Sequence, residues 1–297
     1  MRFLSHRRAF LSFALAAALL AMMLGCPAAT WAQVEVNTCG QEVAGSAVLN
    51  ADLDCTGFEG YAVTIHGGTL TMNGYTITGG WNGIQCDGPC EIIGPGTVTA
   101  STWFGVNAYD TKLRMKNVDV TNNQGFGVQV WRSCILEGPA TISGNRVGIR
   151  NGAKLTLRNT TVTGNTGLAI EAANNLGTAT VDVRDSTITG NGGGIRADRS
   201  VKVRDSVITG NAGSGVVVGV LDYIGHGMFE CRKGRMSIGD STITGNGLGA
   251  DCGVSWACAD LESCPKAPRL KGAVACGTSL VNGSGLPGES WHICTLD

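Results

Sequence analysis

The sequence predicts an all-β protein: a single-domain, right-handed parallel β-helix, with three short strands per coil and about 22 residues per coil. Three observations lead there. A phrase built on Thr-Gly-Asn recurs, as "TVTGN" at 161–165, "TITGN" at 187–191 and "VITGN" at 207–211. The Asn of each copy (Asn123, Asn145, Asn165, Asn191, Asn211 and Asn246) steps by about 22 residues, with wider gaps where loops are inserted. Between copies lie short pieces that alternate apolar and polar with a period of two, such as "KLTLR", "TTVTG" and "LAIEA". Composition agrees: the 297 residues include 45 Gly but only 7 Pro, and no segment carries a long helical period.

In chain order the first element is a leader. Residues 1–32 are expected to be a signal peptide: "MRFLSHRRAF" is basic, residues 10–24 are apolar, and Thr30 and Ala32 offer small residues before a cut at Gln33. The apolar run is short for a membrane span. Arg7-Arg8-Ala9-Phe10-Leu11 resembles a twin-arginine signal, and Leu24-Gly25-Cys26 resembles a loose lipoprotein box that would acylate Cys26. Ordinary cleavage near Ala32 is the favoured reading, giving an exported protein, periplasmic or extracellular, with no transmembrane anchor after residue 32. Lys plus Arg (22) balances Asp plus Glu (23), so no overall field draws in nucleic acid or an anionic membrane. A monomer is expected.

The 12 cysteines agree with export. Their grouping leads us to expect Cys39–Cys55 and Cys86–Cys90 bridges, with Cys134 a lone inward thiol. Cys231, Cys252, Cys258, Cys264, Cys276 and Cys294 allow many pairings. A zinc reading of "CGVSWACADLESC" lacks paired C-x2-C spacing and a nearby His, which weighs against it.

The expected layout after the leader is a cap and first coil over 33–68, coils over 69–258 with a loop insertion at 219–234, and a Cys-rich coil and cap over 259–297. One coil cannot bury its apolar side alone. Stacked copies pair each strand with its counterparts above and below and bury continuous columns. One inward column is expected to hold Val118, Ile142, Val162, Ile188, Ile208 and Ile243. Another holds Val106, Val128, Ile149, Ile170, Ile195, Val216 and Val254. The Gly and Asn of the repeated phrase suit left-handed backbone at a corner. Asn117, Asn159, Asp185, Asp205 and Asp240 mark a second corner, where their side chains would bond nearby backbone. Both columns read as structural ladders and not as calcium sites.

These coils resemble the pectate-lyase-like superfamily of right-handed β-helix proteins over about residues 37–297. "CGQEVAGSAVLNADLDC" and "CGTSLVNGSGLPGESWHICTLD" are similar to the Cys-tied N- and C-terminal caps of a secreted bacterial subgroup. The resemblance implies the fold, and it implies little about function, since the superfamily spans lyases, hydrolases, epimerases and adhesins.

Within that resemblance the strand after the Thr-Gly-Asn corner is where a site is expected. Its outward residues are Gln85, Asn107, Gln129, Arg150, Glu171, Arg196, Val217 and Ser255, with a second outward column of Asp87, Tyr109, Trp131, Asp198 and Gly219. Trp103 shares that outward parity. Amides, aromatic rings and Arg on one flat sheet suit a polysaccharide, acidic ones included: rings pack on sugar faces while amides and Arg bond hydroxyls and carboxylates. Substrate contacts are therefore expected from Gln85, Trp103, Asn107, Tyr109, Gln129, Trp131 and Asp198. The plainer alternative is a solvated sheet face on which Arg150–Glu171–Arg196 forms an ion ladder. If the protein were a lyase, Arg150 or Arg196 would act as base beside Glu171, and Ca²⁺ would be needed only in that case. The scattered Glu171, Asp198 and Asp87 make a poor calcium cage, and no other cofactor or metal is expected. Gly225-His226-Gly227 is similar to a Gly-His-Gly of polygalacturonase-like hydrolases, but the upstream Asp-Asp pair and downstream Arg-Ile-Lys are missing, so His226 is the weakest candidate. A non-enzymatic structural or adhesive envelope protein is the rival class.

Overall fold

The computed structural model describes residues 33–174, 177–218, 220–225, 228–232, 235–247, 254–256 and 274–275. The described chain is all-β, winding into a parallel β-helix with three walls. The first wall is made of Asn82–Cys86, Phe104–Ala108, Phe126–Val130, Val147–Asn151, Leu168–Ala172, Gly193–Ala197 and Val216–Val218, each paired in parallel with the next. The second and third walls are the two halves of bent strands such as Leu113–Thr121 and Cys134–Ser143. The register between these two breaks between Glu137 and Ile142, where the chain turns from one wall into the next. In later coils each bent strand splits in two, as in Thr180–Arg184 and Thr187–Thr189.

The first-wall column forms as its alternation predicts: Val106, Val128, Ile149, Ile170, Ile195, Val216 and Val254 are register partners in succession. The third-wall column differs at one place. Ile142 is opposite Val120, and not Val118, which pairs with Gly96 at the bend. Both valines are buried and share parity, so alternation alone cannot separate them. Each fully buried Val or Ile contributes about 1.5–3 kcal/mol of apolar burial, which is why every coil invests one per wall.

The two corners divide their roles differently from expectation. In the repeated phrase only the Gly is left-handed, with φ of 66°, 63°, 65°, 63° and 59° at Gly144, Gly164, Gly190, Gly210 and Gly245. Its Asn turns inward instead. Asn145 Oδ1 accepts from Asn123 N (3.0 Å) and Asn123 Nδ2 (2.9 Å), and the pattern continues through Asn165, Asn191, Asn211 and Asn246. At the second corner the left-handed residues are Asn117, Asn159, Asp185, Asp205 and Asp240, at φ 46–56°. The ladder beside them is built by hydroxyls: Ser186 Oγ accepts from Thr160 N, Ser206 Oγ from Ser186 N, and Ser241 Oγ from Ser206 N, each at 3.2 Å. Asn and Asp serve there because their short polar side chains tolerate the left-handed region best among non-glycine residues.

Cys39–Cys55 and Cys86–Cys90 are bridged as expected, and Cys134 is a buried free thiol. Burial alone pushes its ionisation upward, so it is an inert packing thiol. The expected loop insertion is instead an antiparallel hairpin, with Val220–Gly225 paired to Met228–Arg232. Residues 1–32, where a signal peptide is expected, together with His226 and the cysteines after Cys231, lie outside the described residues.

Candidate functional site

The outward column of the first wall is continuous: Glu42, Thr64, Gln85, Asn107, Gln129, Arg150, Glu171, Arg196 and Val217 are register partners on successive coils. It does not lie open throughout. Gln85, Asn107 and Gln129 are only 7%, 8% and 7% exposed. They stack on one another between two rows of larger side chains. Asn107 Nδ2 and Asn82 Nδ2 both donate to Gln85 Oε1, at 2.9 and 3.0 Å, while Gln85 Nε2 donates to Asp87 Oδ1 at 2.7 Å. Asn107 Oδ1 and Gln129 Oε1 have no hydrogen-bond partner among the described residues.

The two flanking rows are aromatic. On one side Tyr61 meets Trp81 edge-on at 6.3 Å, and Trp81 stacks on Trp103 at 5.1 Å with the rings 20° from parallel. Phe104 and Phe126 stack beside them at 5.3 Å. On the other side Tyr109 meets Trp131 edge-on at 5.9 Å. Trp103 and Tyr109 are among the most exposed apolar side chains. The sequence reading includes Trp103, Tyr109 and Trp131 but passes over Tyr61, Trp81, Phe104 and Phe126. The reason is local. The second residue of most first-wall strands is a Gly that faces inward, replaced by Ala169 in Leu168–Ala172: a Cβ on Gly105 would come within 2.4 Å of Val120 Cγ1 and 2.7 Å of Asn123 Nδ2. Gly105 and Val106 therefore both point in, the period of two skips, and Phe104 joins Asn107 on the outside. The repeated Gly before Val or Ile, as in "FGVNA" and "FGVQV", is the signal that could have found it.

The proposed catalytic trio is brought into register but not into one cluster. Arg150 Nε stands 3.7 Å from Glu171 Oε2, too long for a hydrogen bond. Arg196 is the register partner of Glu171 and makes no ion pair among the described residues. Arg150 instead lies over two rings, 5.1 Å from the Phe126 centroid and 5.4 Å from that of Trp131. Asp198, expected on the open face, is 2% exposed and accepts Asn174 N at 2.7 Å, so the neighbouring backbone already occupies it. Asp87 is held by Gln85 and lies 3.7 Å from His66 Nδ1, whose Nε2 stands 3.0 Å from Glu42. That Glu42–His66–Asp87 group at one end of the wall is a further set of polar residues, of which the sequence pointed only to Asp87. Asp87 and Glu171 are separated by four coils, about 19 Å at the spacing of paired strands, so they cannot share a cation. Among the described residues no group of three or more His, Cys, Asp or Glu is placed to hold a metal ion.

The architecture thus defines a parallel β-helix in which one wall presents amides and guanidiniums between aromatic rows. Over residues 61–220, and again over 104–260, the chain matches the model of the family described as "right handed beta helix region". It belongs to that family, and the coil is right-handed. Comparison with curated proteins and with solved structures finds no match.

Proposed function

We propose that this is an exported β-helix whose first wall binds a polysaccharide lying along the stacking axis. One observation carries the reading: a straight row of side-chain amides flanked on both sides by aromatic rings, with Trp103 and Tyr109 left open to solvent. Sugars ask for that combination, with hydroxyls meeting amides and the apolar faces of pyranose rings meeting aromatic carbon. Two disulfides in the described chain support export, and no helix there is long and apolar enough to cross a membrane.

The test is retention in affinity gels containing pectate, alginate, glycosaminoglycans or neutral glucans. At least one glycan should retard the protein, and Trp131→Ala should weaken that retention. Unchanged mobility across the panel refutes the reading. Turnover is a separate extension, in which Arg150 or Arg196 would take the proton alpha to a uronate carboxyl beside Glu171. It requires a rise in unsaturated-uronate absorbance, and a flat trace with and without added Ca²⁺ removes it.

A structural or adhesive role is the second reading. What favours it is that Asn107, Asn82, Gln85 and Asp87 already bond one another, so part of the wall is satisfied without a ligand. It predicts no gel retardation and a protein found attached to the envelope fraction.

A further inference from the structure

Two guanidiniums converge on one ring of the first wall. Arg146 and Arg150 lie 5.3 and 5.1 Å from the centroid of Phe126. Phe104 stacks on that ring nearly parallel, 13° apart, so one face is taken and the two cations crowd toward the other. Like charges so placed repel unless an anion lies between or beside them. The protein supplies little. Arg146 is exposed and makes no ion pair among the described residues, and Arg150 has only Glu171, at 3.7 Å. Two donors here also go unused, since Arg150 Nε and Trp131 Nε1 are buried without a hydrogen-bond partner among the described residues. A buried donor left unpaired costs stability unless something else completes it.

An exposed ring stands beside these cations. Trp81 covers one face of Trp103, and their 5.1 Å separation matches the spacing of stacked coils, so the other face of Trp103 looks along the axis. The next coil there holds Gly125, which has no side chain, and Arg146 N bonds the Gly125 carbonyl from the coil beyond. Trp103 and Arg146 are therefore two coils apart, about 10 Å between backbones.

We propose that Arg146 and Arg150 form an oxyanion subsite, taking the carboxylate or sulfate of an acidic sugar whose ring packs over Gly125 against the free face of Trp103. This rests on the glycan reading of the wall and adds to it a charge requirement and a position. Guanidinium matches both oxyanions through paired N–H donors, and its stacking on Phe126 fixes its plane beforehand.

The experiment is calorimetric titration of the purified protein with three oligosaccharides of equal length: an oligogalacturonate, a sulfated galactan fragment and a neutral cello-oligosaccharide. The proteins are wild type, Arg146→Gln, Arg146→Lys and Trp103→Ala, each checked for an unchanged circular dichroism spectrum. Wild type is expected to bind a charged oligosaccharide more tightly than the neutral one. Arg146→Gln should weaken that binding about tenfold and leave neutral binding within about twofold, while Arg146→Lys keeps part of it. Trp103→Ala should weaken charged and neutral ligands alike. Which charged oligosaccharide responds identifies the oxyanion as carboxylate or sulfate. A wild type that binds but prefers the neutral chain, or an Arg146→Gln that binds the charged chains as wild type does, overturns the subsite while leaving the glycan reading standing. A wild type that binds none of the three here and none of the gel panel overturns both.

Discussion

At Asn165 a single carboxamide joins three coils. Its Oδ1 accepts two hydrogen bonds from Asn145, and its Nδ2 donates to Asn191 Oδ1 and to the Ile142 carbonyl. Asn165→Ala would strand two buried donors of Asn145 and should cost about 3 kcal/mol, read from urea denaturation. The second corner makes the opposite demand. Asp205 sits at φ 48° with its side chain exposed, so Asp205→Gly should change stability by less than about 0.5 kcal/mol, whereas Asp205→Val should cost about 1–2 kcal/mol. Equal losses from the two substitutions would show that the side chain, and not the backbone, matters there. Charge acts locally as well. Arg184 donates Nη2 and Nε to Asp182 at 2.7 and 3.1 Å and holds that carboxyl below its ordinary range, with burial opposing the shift. A folded value below the unfolded one means stability that is present above about pH 4 and lost as pH falls through the folded value. The gap in denaturation midpoint between wild type and Asp182→Asn should thus be widest near neutrality and close below about pH 4.

At the scale of the strand, the period of two is a good guide along a straight wall and fails at the ends. The column from Val106 to Ile195 was legible because each member is followed by an outward polar residue, from Asn107 to Arg196, within one unbroken strand. Val118 was misplaced because the chain bends at left-handed Asn117, and after a bend parity no longer tells which wall a residue serves. Phe104 and Phe126 were hidden for a related reason: inward Gly105 and Gly127 put two inward residues side by side. Asp198 was misread because the strand pattern says nothing of the loop at Asn174 that closes over it. Strand columns also have a measurable energetic consequence. Ile170 is fully buried between Ile149 and Ile195, so Ile170→Ala should cost about 3 kcal/mol, while Val207→Ala on the exposed third-wall face should cost far less.

Across the whole molecule the three walls are unlike. The second wall carries ion pairs such as Arg114 with Glu137 at 3.0 Å and Glu91 at 3.5 Å, which raise the already high Arg114 ionisation further. Exposed pairs of this kind contribute little to stability and keep a flat sheet soluble. Among the described residues, only the first wall sets aromatic rows beside amides. Hydroxyl-radical footprinting tests this most directly, with side-chain oxidation followed by mass spectrometry as a retained glycan is titrated in. Trp103 and Tyr109 should become protected together, while Ile135 on the second wall and Val207 on the third react as before. Protection confined to the second or third wall, or none at saturating glycan, would contradict a ligand track on the first.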